Sequence, residues 1–490
     1  MFPQDQLAGH NRYSFSQETI DLARKAVTGG LGKATTTGID LNTALVGYPL
    51  EAPSKKLYPV LSPIRNLLPR LPVTVLSVGG MAGTALNWKQ ITAINAGNLW
   101  PTVAAGARNS AIQYTEADKS ASFKTFGLDD KVVDEAIWAG RGFEDARALS
   151  ALATLQATMV AEERLLLGGN VTALGAPAGL AATASASGGS LATGTYRCIV
   201  SALTMQGWYQ AAKGRTGGVD ANGETDGSTN TSTAVTGPNG KLDLTWTAKR
   251  GAFAYNVFID NGAGGAYAYH STVFVNAATI TSIAGVVANT PNTADKTANA
   301  LDFDGLIPQI EAANAGYYSS LNNATLTADG AQGIVEIDTA LQSLWDNQRV
   351  GPQRIWVNSQ EINNIAKKLT NAGSSSLVRV VVENTVDAQG NLVAGIRAVK
   401  YINKYTGEVI DITVHPNMPP GKLMGLTHRL PEWYPNNNIP EAIIVCTLQE
   451  YADYEFARTD RSTPHGVYAS EVLVCYAPAF SMVITNIKNG

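Results

Sequence analysis

Adjacent carboxylates at Glu162 and Glu163, five scattered histidines, three cysteines and a DFDG tetrad at 302–305 are the residues of this chain whose types could do chemistry. Paired carboxylates act as acid and base when they flank one bond. Neighbours on a helix diverge by about 100°, so Glu162 and Glu163 cannot do so, and they are expected in solvent or against bases of a neighbouring subunit. His10, His270, His415, His428 and His465 stand singly, without a His or Cys partner at ligand spacing, and are expected at the surface or in the core. Cys198, Cys446 and Cys475 are too scattered for a disulfide framework and are expected as buried free thiols. DFDG begins like a calcium loop but lacks its later oxygen ligands, which leaves a turn leading into a helix. GGLGKATT at 29–36 is the nearest approach to a phosphate loop, and Val27 stands where the first glycine belongs. With no Gly-x-Ser-x-Gly elbow either, no catalytic residue, metal or cofactor is expected. Trp208 and Trp246 offer one binding alternative, a sugar-stacking platform, against the commoner role of tryptophan in a sandwich core.

The elements that would position these residues follow from pattern. Ser14 and Gln17 form a capping box for a short helix stopped by Gly29 and Gly30, and 31–51 is an extended arm. Four prolines in KKLYPVLSPIRNLLPRLP, 55–72, forbid a continuous helix, yet its apolar residues need a surface. Residues 73–126 predict a long two-stranded excursion from VTVLSV to YTEADKSASFKTF around a Gly/Ala-rich middle, a form that suits an arm reaching a neighbour. Residues 144–167 predict a helix about 35 Å long at 1.5 Å per residue. Its packing stripe would be Leu149, Leu152, Leu155, Met159 and Leu166, with Gly168 and Gly169 as the stop.

From Tyr196 to Ile280 the period changes to two: Tyr196, Cys198, Val200 and Ala202, then Leu242, Leu244 and Trp246, then Phe253, Tyr255, Val257 and Ile259. Such strands, separated by turn clusters, predict an inserted β-sandwich at 175–297, with the Ala/Gly/Ser run after the helix and NTADKTANA as flexible linkers. Helices return at Ile334–Trp345 and after a cap at Asn358 or Ser359. Charged residues make up 16% of the 490, and 36 basic against 40 acidic residues leave −4. That composition suits extensive subunit contacts and excludes a dedicated nucleic-acid-binding domain. No signal pattern and no run of 18 apolar residues occurs, so a soluble, unexported protein with no membrane partner is expected.

The order of parts, YPVLSPIRNLLPR, NWKQI, YTEAD, EERLLLGG and a closing GVYASEVLVCYAPAFSMVITNI, resembles the major capsid protein of tailed bacteriophages, the Hong Kong 97 type fold. The resemblance implies an α+β chain: an N-terminal arm and Pro-rich segment at 1–72, an extended loop at 73–126, a spine helix and the start of a peripheral domain at 127–174, and an axial domain with the rest of the peripheral domain at 298–490. The insert, similar to immunoglobulin or fibronectin type III modules, interrupts this order at 175–297. The resemblance further implies self-assembly into hexamers and pentamers of an icosahedral head, assembled in a bacterial cytoplasm and ending in the virion. Partners would be a separate scaffolding protein, a portal, decoration proteins, and packaged DNA held weakly and without sequence specificity.

Arg65, Arg70, Lys89, Glu116, Lys119, Lys124, Glu162 and Glu163 are the expected assembly contacts. One member of the family cross-links a loop lysine to an asparagine, but no asparagine lies between Arg458 and Ile484, so cohesion is expected to be non-covalent. Val171 to Ala300 carries seven basic and six acidic residues, a near-neutral balance that places the insert on the outer surface. An encapsulin-like compartment shell would share the fold, and a glycan-binding β-sandwich protein is the alternative from another class.

Overall fold

In the computed structural model, residues 55–76, 83–94, 100–140, 144–212, 222–331, 333–371, 400–431, 433–434 and 441–490 are described. The expected capping box at Ser14 and Gln17, the stop at Gly29 and Gly30, the arm at 31–51 and the GGLGKATT run lie outside them. The chain divides into two compact units, Met1–Leu57 with Ala139–Asp145, and Tyr58–Trp138 with Ala146–Gly490. In the first, the Glu144 amide closes a turn on the Gly140 carbonyl at 3.1 Å. Everything below concerns the second.

Its elements begin with α1 (Pro63–Leu67), β1 (Arg70–Pro72), α2 (Val73–Leu76), β2 (Ala85–Ile94), β3 (Tyr114–Ser122), β4 (Lys124–Val133), α3 (Asp134–Ala139, which ends at the unit boundary) and α4 (Ala146–Gly168). Next come β5 (Ala181–Ser185), β6 (Gly194–Leu203), α5 (Met205–Ala212), β7 (Thr231–Val235), β8 (Lys241–Thr245), β9 (Ala254–Ile259), β10 (Ala268–Val273) and β11 (Ala277–Ile280). The last stretch holds α6 (Leu306–Glu311), β12 (Tyr317–Ser320), α7 (Val335–Gln348), β13 (Arg354–Val357), α8 (Ser359–Asn371), β14 (Lys400–Ile402), β15 (Val409–Val414), β16 (Leu423–Leu426), β17 (Ile443–Glu455), β18 (Ser462–Cys475) and β19 (Met482–Thr485). The fold class is α+β.

One sheet runs β1-β17-β18-β4, with β1 parallel to β17 and the rest antiparallel. Helix α4 packs on β4 and β18, and the face it buries there departs from the leucine stripe. Ser150, Thr154 and Thr158 are buried, whereas Leu152 is 39% exposed and Leu149, Leu155 and Met159 are half-buried. Thr154 and Thr158 hydroxyls donate to the carbonyls of Ser150 and Thr154 at 2.9 and 2.8 Å. With the two threonine hydroxyls satisfied inside the helix and that of Ser150 donated to Asp130 of β4, this small-residue face approaches the sheet closely without stranding a polar group. VTVLSV also departs from expectation: Pro72 has no N–H to extend β1, and Val73–Leu76 turns helically to bury Val73.

A second sheet runs β12-β19-β16-β13-β15-β14, and its central strands β19, β16 and β13 are buried on both faces. Ile355 and Val357 of β13 and Met482 and Ile484 of β19 join a core with Ile337, Leu341 and Leu344 of α7. Trp356 and Val483, between them, join the other core, shared with the first sheet. Alternation of period two thus feeds two cores, which is why Ile355–Val357 and Met482–Ile484 are consecutive apolar residues. Asn358 caps α8 as expected, its side-chain oxygen accepting the Gln360 amide at 2.9 Å.

Between Ala181 and Ile280 seven strands form a sandwich of two antiparallel sheets, β10-β9-β6-β7 and β11-β8-β5. Its core contains the alternating residues of the sequence: Tyr196, Cys198, Val200, Ala202, Leu242, Leu244, Trp246, Tyr255, Val257 and Ile259. Phe253 is an exception, joining Met205 in the core below the six-stranded sheet. The flanking segments are not flexible linkers. The Leu174 amide donates to Thr297 Oγ1, the Gly175 amide to Asp295, and the Val171 amide to Asp304, all at 2.7–2.9 Å. Gly305 opens α6 as the DFDG reading expects, and a Cβ there would lie 2.6 Å from the Gly168 amide.

The sandwich is further clamped by a buried ion pair, Lys422 Nζ to Glu311 Oε1 at 2.6 Å. Lys422 also donates to the Ala252 carbonyl and Glu311 accepts the Gly251 amide. Replacing Phe253 by Ala should therefore destabilise the body and the insert together, by about 3–5 kcal/mol in urea unfolding. A loss below about 1 kcal/mol would show that the insert merely rests on the body.

Candidate functional site

Glu162 and Glu163 are both fully buried near the C-terminal end of α4, and each meets its own set of donors. Glu163 faces the start of α1, where Pro63 leaves the following amides without helical acceptors. The Ile64 amide donates to Glu163 Oε1 at 2.9 Å and the Arg65 amide to Oε2 at 2.7 Å. His415, fully buried in the loop after β15, places Nε2 2.6 Å from Oε1 and accepts the Asn417 amide on Nδ1 at 3.1 Å. The accepting Nδ1 assigns the ring proton to Nε2, so a neutral imidazole donates to the carboxylate.

Glu162 turns the other way. Arg65 Nε donates to its Oε2 at 2.7 Å, Tyr451 of β17 donates its hydroxyl to the same oxygen, and Arg70 Nη2 pairs with Oε1. Arg70 Nη1 continues to Glu471 of β18 at 2.7 Å. Both guanidinium groups lie over the Tyr451 ring, 5.3 and 5.6 Å from its centre. Burial pushes the Glu471 carboxyl above the usual carboxylate range, opposed by Arg70, and burial likewise raises the Tyr451 hydroxyl. Two arginines thus balance two carboxylates in a joint that fastens α1, β1, α4, β17 and β18. The expectation of solvent or neighbouring-subunit partners for Glu162 and Glu163 is corrected: their partners belong to the same chain. Tyr451, Glu471 and His415 carried no sequence signal, since they stand singly and far along the chain.

The other expected contacts lie elsewhere. Lys89 and Asp118 form an exposed pair at 3.5 Å on the β2-β3 hairpin, where Glu116 stands opposite Ile91 and Lys119 opposite Trp88. Lys124, in β4, donates to the Ala300 carbonyl at 2.6 Å. Leu86 and Trp88 root the hairpin in the main core, Trp88 edge-on to Tyr476. Beyond that root it is largely exposed, with Ile91 at 59% and Trp100 at 79%. The tryptophan platform is not formed: Trp246 is buried against Tyr255, and Trp208 packs on Phe274 beside the main core. Among the described residues no group of three or more His, Cys, Asp or Glu side chains could hold a metal, and no helix is long and apolar enough to cross a membrane.

Removing Arg70 leaves Glu471 buried without its cation. R70A should cost about 3–5 kcal/mol in chemical unfolding, and R70K should restore only part, because an ammonium cannot span two carboxylates as a guanidinium does. Equal stability of R70A and wild type would refute the joint. On the hairpin, exposed Arg108 should be the first tryptic site of the isolated chain, checked by mass spectrometry of early fragments; first cleavage inside the sandwich would contradict this.

No known protein family and no curated protein matches the sequence. Among solved structures the chain is similar to the holo-SrpI encapsulin complex from Synechococcus elongatus PCC 7942, at 8% identity over 93% of this chain and 97% of that one, TM-score 0.40. It is similar to the capsid of Myoviridae phage XM1 at 9% identity over 92% and 100%, TM-score 0.42. A third similarity is to the capsid of a native GTA particle, at 8% identity over 93% and 100%, TM-score 0.43. Overlaps this loose assign neither fold family nor function to the chain.

Proposed function

We propose that this chain is a shell-forming structural subunit, a major capsid protein of the tailed-bacteriophage, Hong Kong 97 type. It would self-assemble into hexamers and pentamers of an icosahedral head around double-stranded DNA. The observation that carries this reading is the β2-β3 hairpin, rooted in the core by Leu86 and Trp88 and, among its described side chains, largely exposed beyond that root. The ten residues of β2, nine of them paired with β3, extend roughly 33 Å at ~3.3 Å each. A two-stranded ribbon of that length has no core of its own and gains burial only against another subunit.

In this reading α4 is the spine helix, the β1-β17-β18-β4 sheet the peripheral domain and the six-stranded sheet the axial domain. Lys89, Glu116 and Lys119 would meet a neighbour, while Arg65, Arg70, Glu162 and Glu163 keep the subunit rigid for that contact. The insert would face outward and, held by Lys422 and Glu311, would project at a fixed angle. Scaffolding, portal and decoration proteins would be partners in assembly, and the virion the destination.

The test is negative-stain microscopy and content analysis of the expressed chain, alone and with a scaffolding candidate. Closed shells that hold DNA after packaging support the reading. Shells that enclose a cargo enzyme would move it to a compartment shell, and a monomer that binds a glycan array would overturn it.

A further inference from the structure

His465 lies in β18 where α4, β4 and β17 meet, and it is 7% exposed. Its Nε2 is 2.8 Å from Ser150 Oγ of α4, and its Nδ1 is 3.1 Å from Asp453 Oδ1 of β17. In the ladder it stands opposite Asp130 of β4 and Glu455 of β17. Ser150, 9% exposed, donates its hydroxyl to Asp130 Oδ2. The charged groups around the ring are therefore Asp130 from β4, Asp453 and Glu455 from β17, and Arg147 from α4, which pairs with Glu455 at 3.4 Å. Asp129 and Lys131, flanking Asp130, are engaged by Tyr468 and Asp460.

The hydrogens of this chain can be counted. A serine hydroxyl has one, and an ionised carboxylate only accepts. Ser150 gives its hydrogen to Asp130, so Nε2 must supply the hydrogen of the Ser150 contact. Asp453 accepts, so Nδ1 must supply the other. We infer that His465 is held as the imidazolium, and that its second proton is a latch fastening the start of α4 to the β4-β18-β17 sheet. Moving that proton to Asp130 would keep the count, but an imidazole is the stronger base.

When the proton leaves, Ser150 has one hydrogen for two acceptors, Asp130 and Nε2, and one contact between helix and sheet opens. The latch is closed while the second proton is held and opens when it is lost, so it weakens as pH rises. Ser150, His465 and Asp453 also follow the order of a hydrolytic triad. However, the Ser150 hydroxyl is committed to Asp130, so it has no hydrogen to pass to His465 as a nucleophile would. The constellation holds a proton and does not attack a substrate.

Deuterium uptake by the peptide covering the start of α4, measured on the full chain and corrected for intrinsic exchange, tests this independently of the shell reading. Between about pH 5.5 and about pH 8.5, where ordinary carboxylates stay ionised and histidine titrates, wild-type protection should fall by about five-fold or more. H465Q, neutral at both values, and S150A, which breaks the chain of hydrogens while removing a single atom, should each show no such ratio. Equal wild-type protection at both values overturns the latch. So does a pH ratio in S150A or H465Q matching wild type, and S150A keeps the test available if H465Q does not fold.

Discussion

Burial of two neighbouring carboxylates on one helix sets the terms for the structure around it. Taking an ionised carboxylate out of water costs several kcal/mol unless it is fully paired. Side chains of adjacent helical residues diverge by about 100°, so Glu162 and Glu163 cannot share a counterion. Donors must arrive from two directions. On one side come the amides of Ile64 and Arg65 with His415, and on the other Arg65, Arg70 and Tyr451. Meeting that demand ties a proline-started helix, an edge strand, a long β-hairpin and a loop of the six-stranded sheet to a single helix end. Pro63 places the two free amides, and Arg70 carries the pairing on to Glu471.

The same helix end fixes the insert. Gly168 leaves room for Phe253 and Met205, whose atoms would lie 2.5 and 2.7 Å from a Cβ at that position. The tip of the sandwich thereby enters the core of the body, and Lys422 with Glu311 closes over it. A module held this way transmits position, since it cannot pivot without opening a packed core.

Local patterns were legible and distant pairings were not. The sandwich strands announce themselves because inner faces of a two-sheet sandwich alternate within a single strand. Asn358 is legible because a cap acts two residues away. Arg65 and Glu162 are 97 residues apart, Tyr451 and Glu162 289, and Arg70 and Glu471 401, so no window of sequence contains both partners. The buried face of α4 was hidden for another reason: Thr154 and Thr158, with hydroxyls bonded to their own helix, pack as small residues, which a hydropathy stripe misreads. The linkers were misjudged from composition, because Gly, Ala and Ser signal slack only until side chains such as Asp295 and Asp304 hold their amides.

In the proposed shell, a chain whose interior charges are settled within itself could offer its exposed hairpin to neighbours without rearranging its joint. A cryo-electron microscopy map of the assembled chain tests that claim most directly. The account predicts that Glu162 remains paired with Arg65 and Arg70 of its own chain in every copy, with the β2-β3 ribbon laid on an adjacent copy. A guanidinium from a neighbouring copy at Glu162, or a ribbon left in solvent, would contradict it.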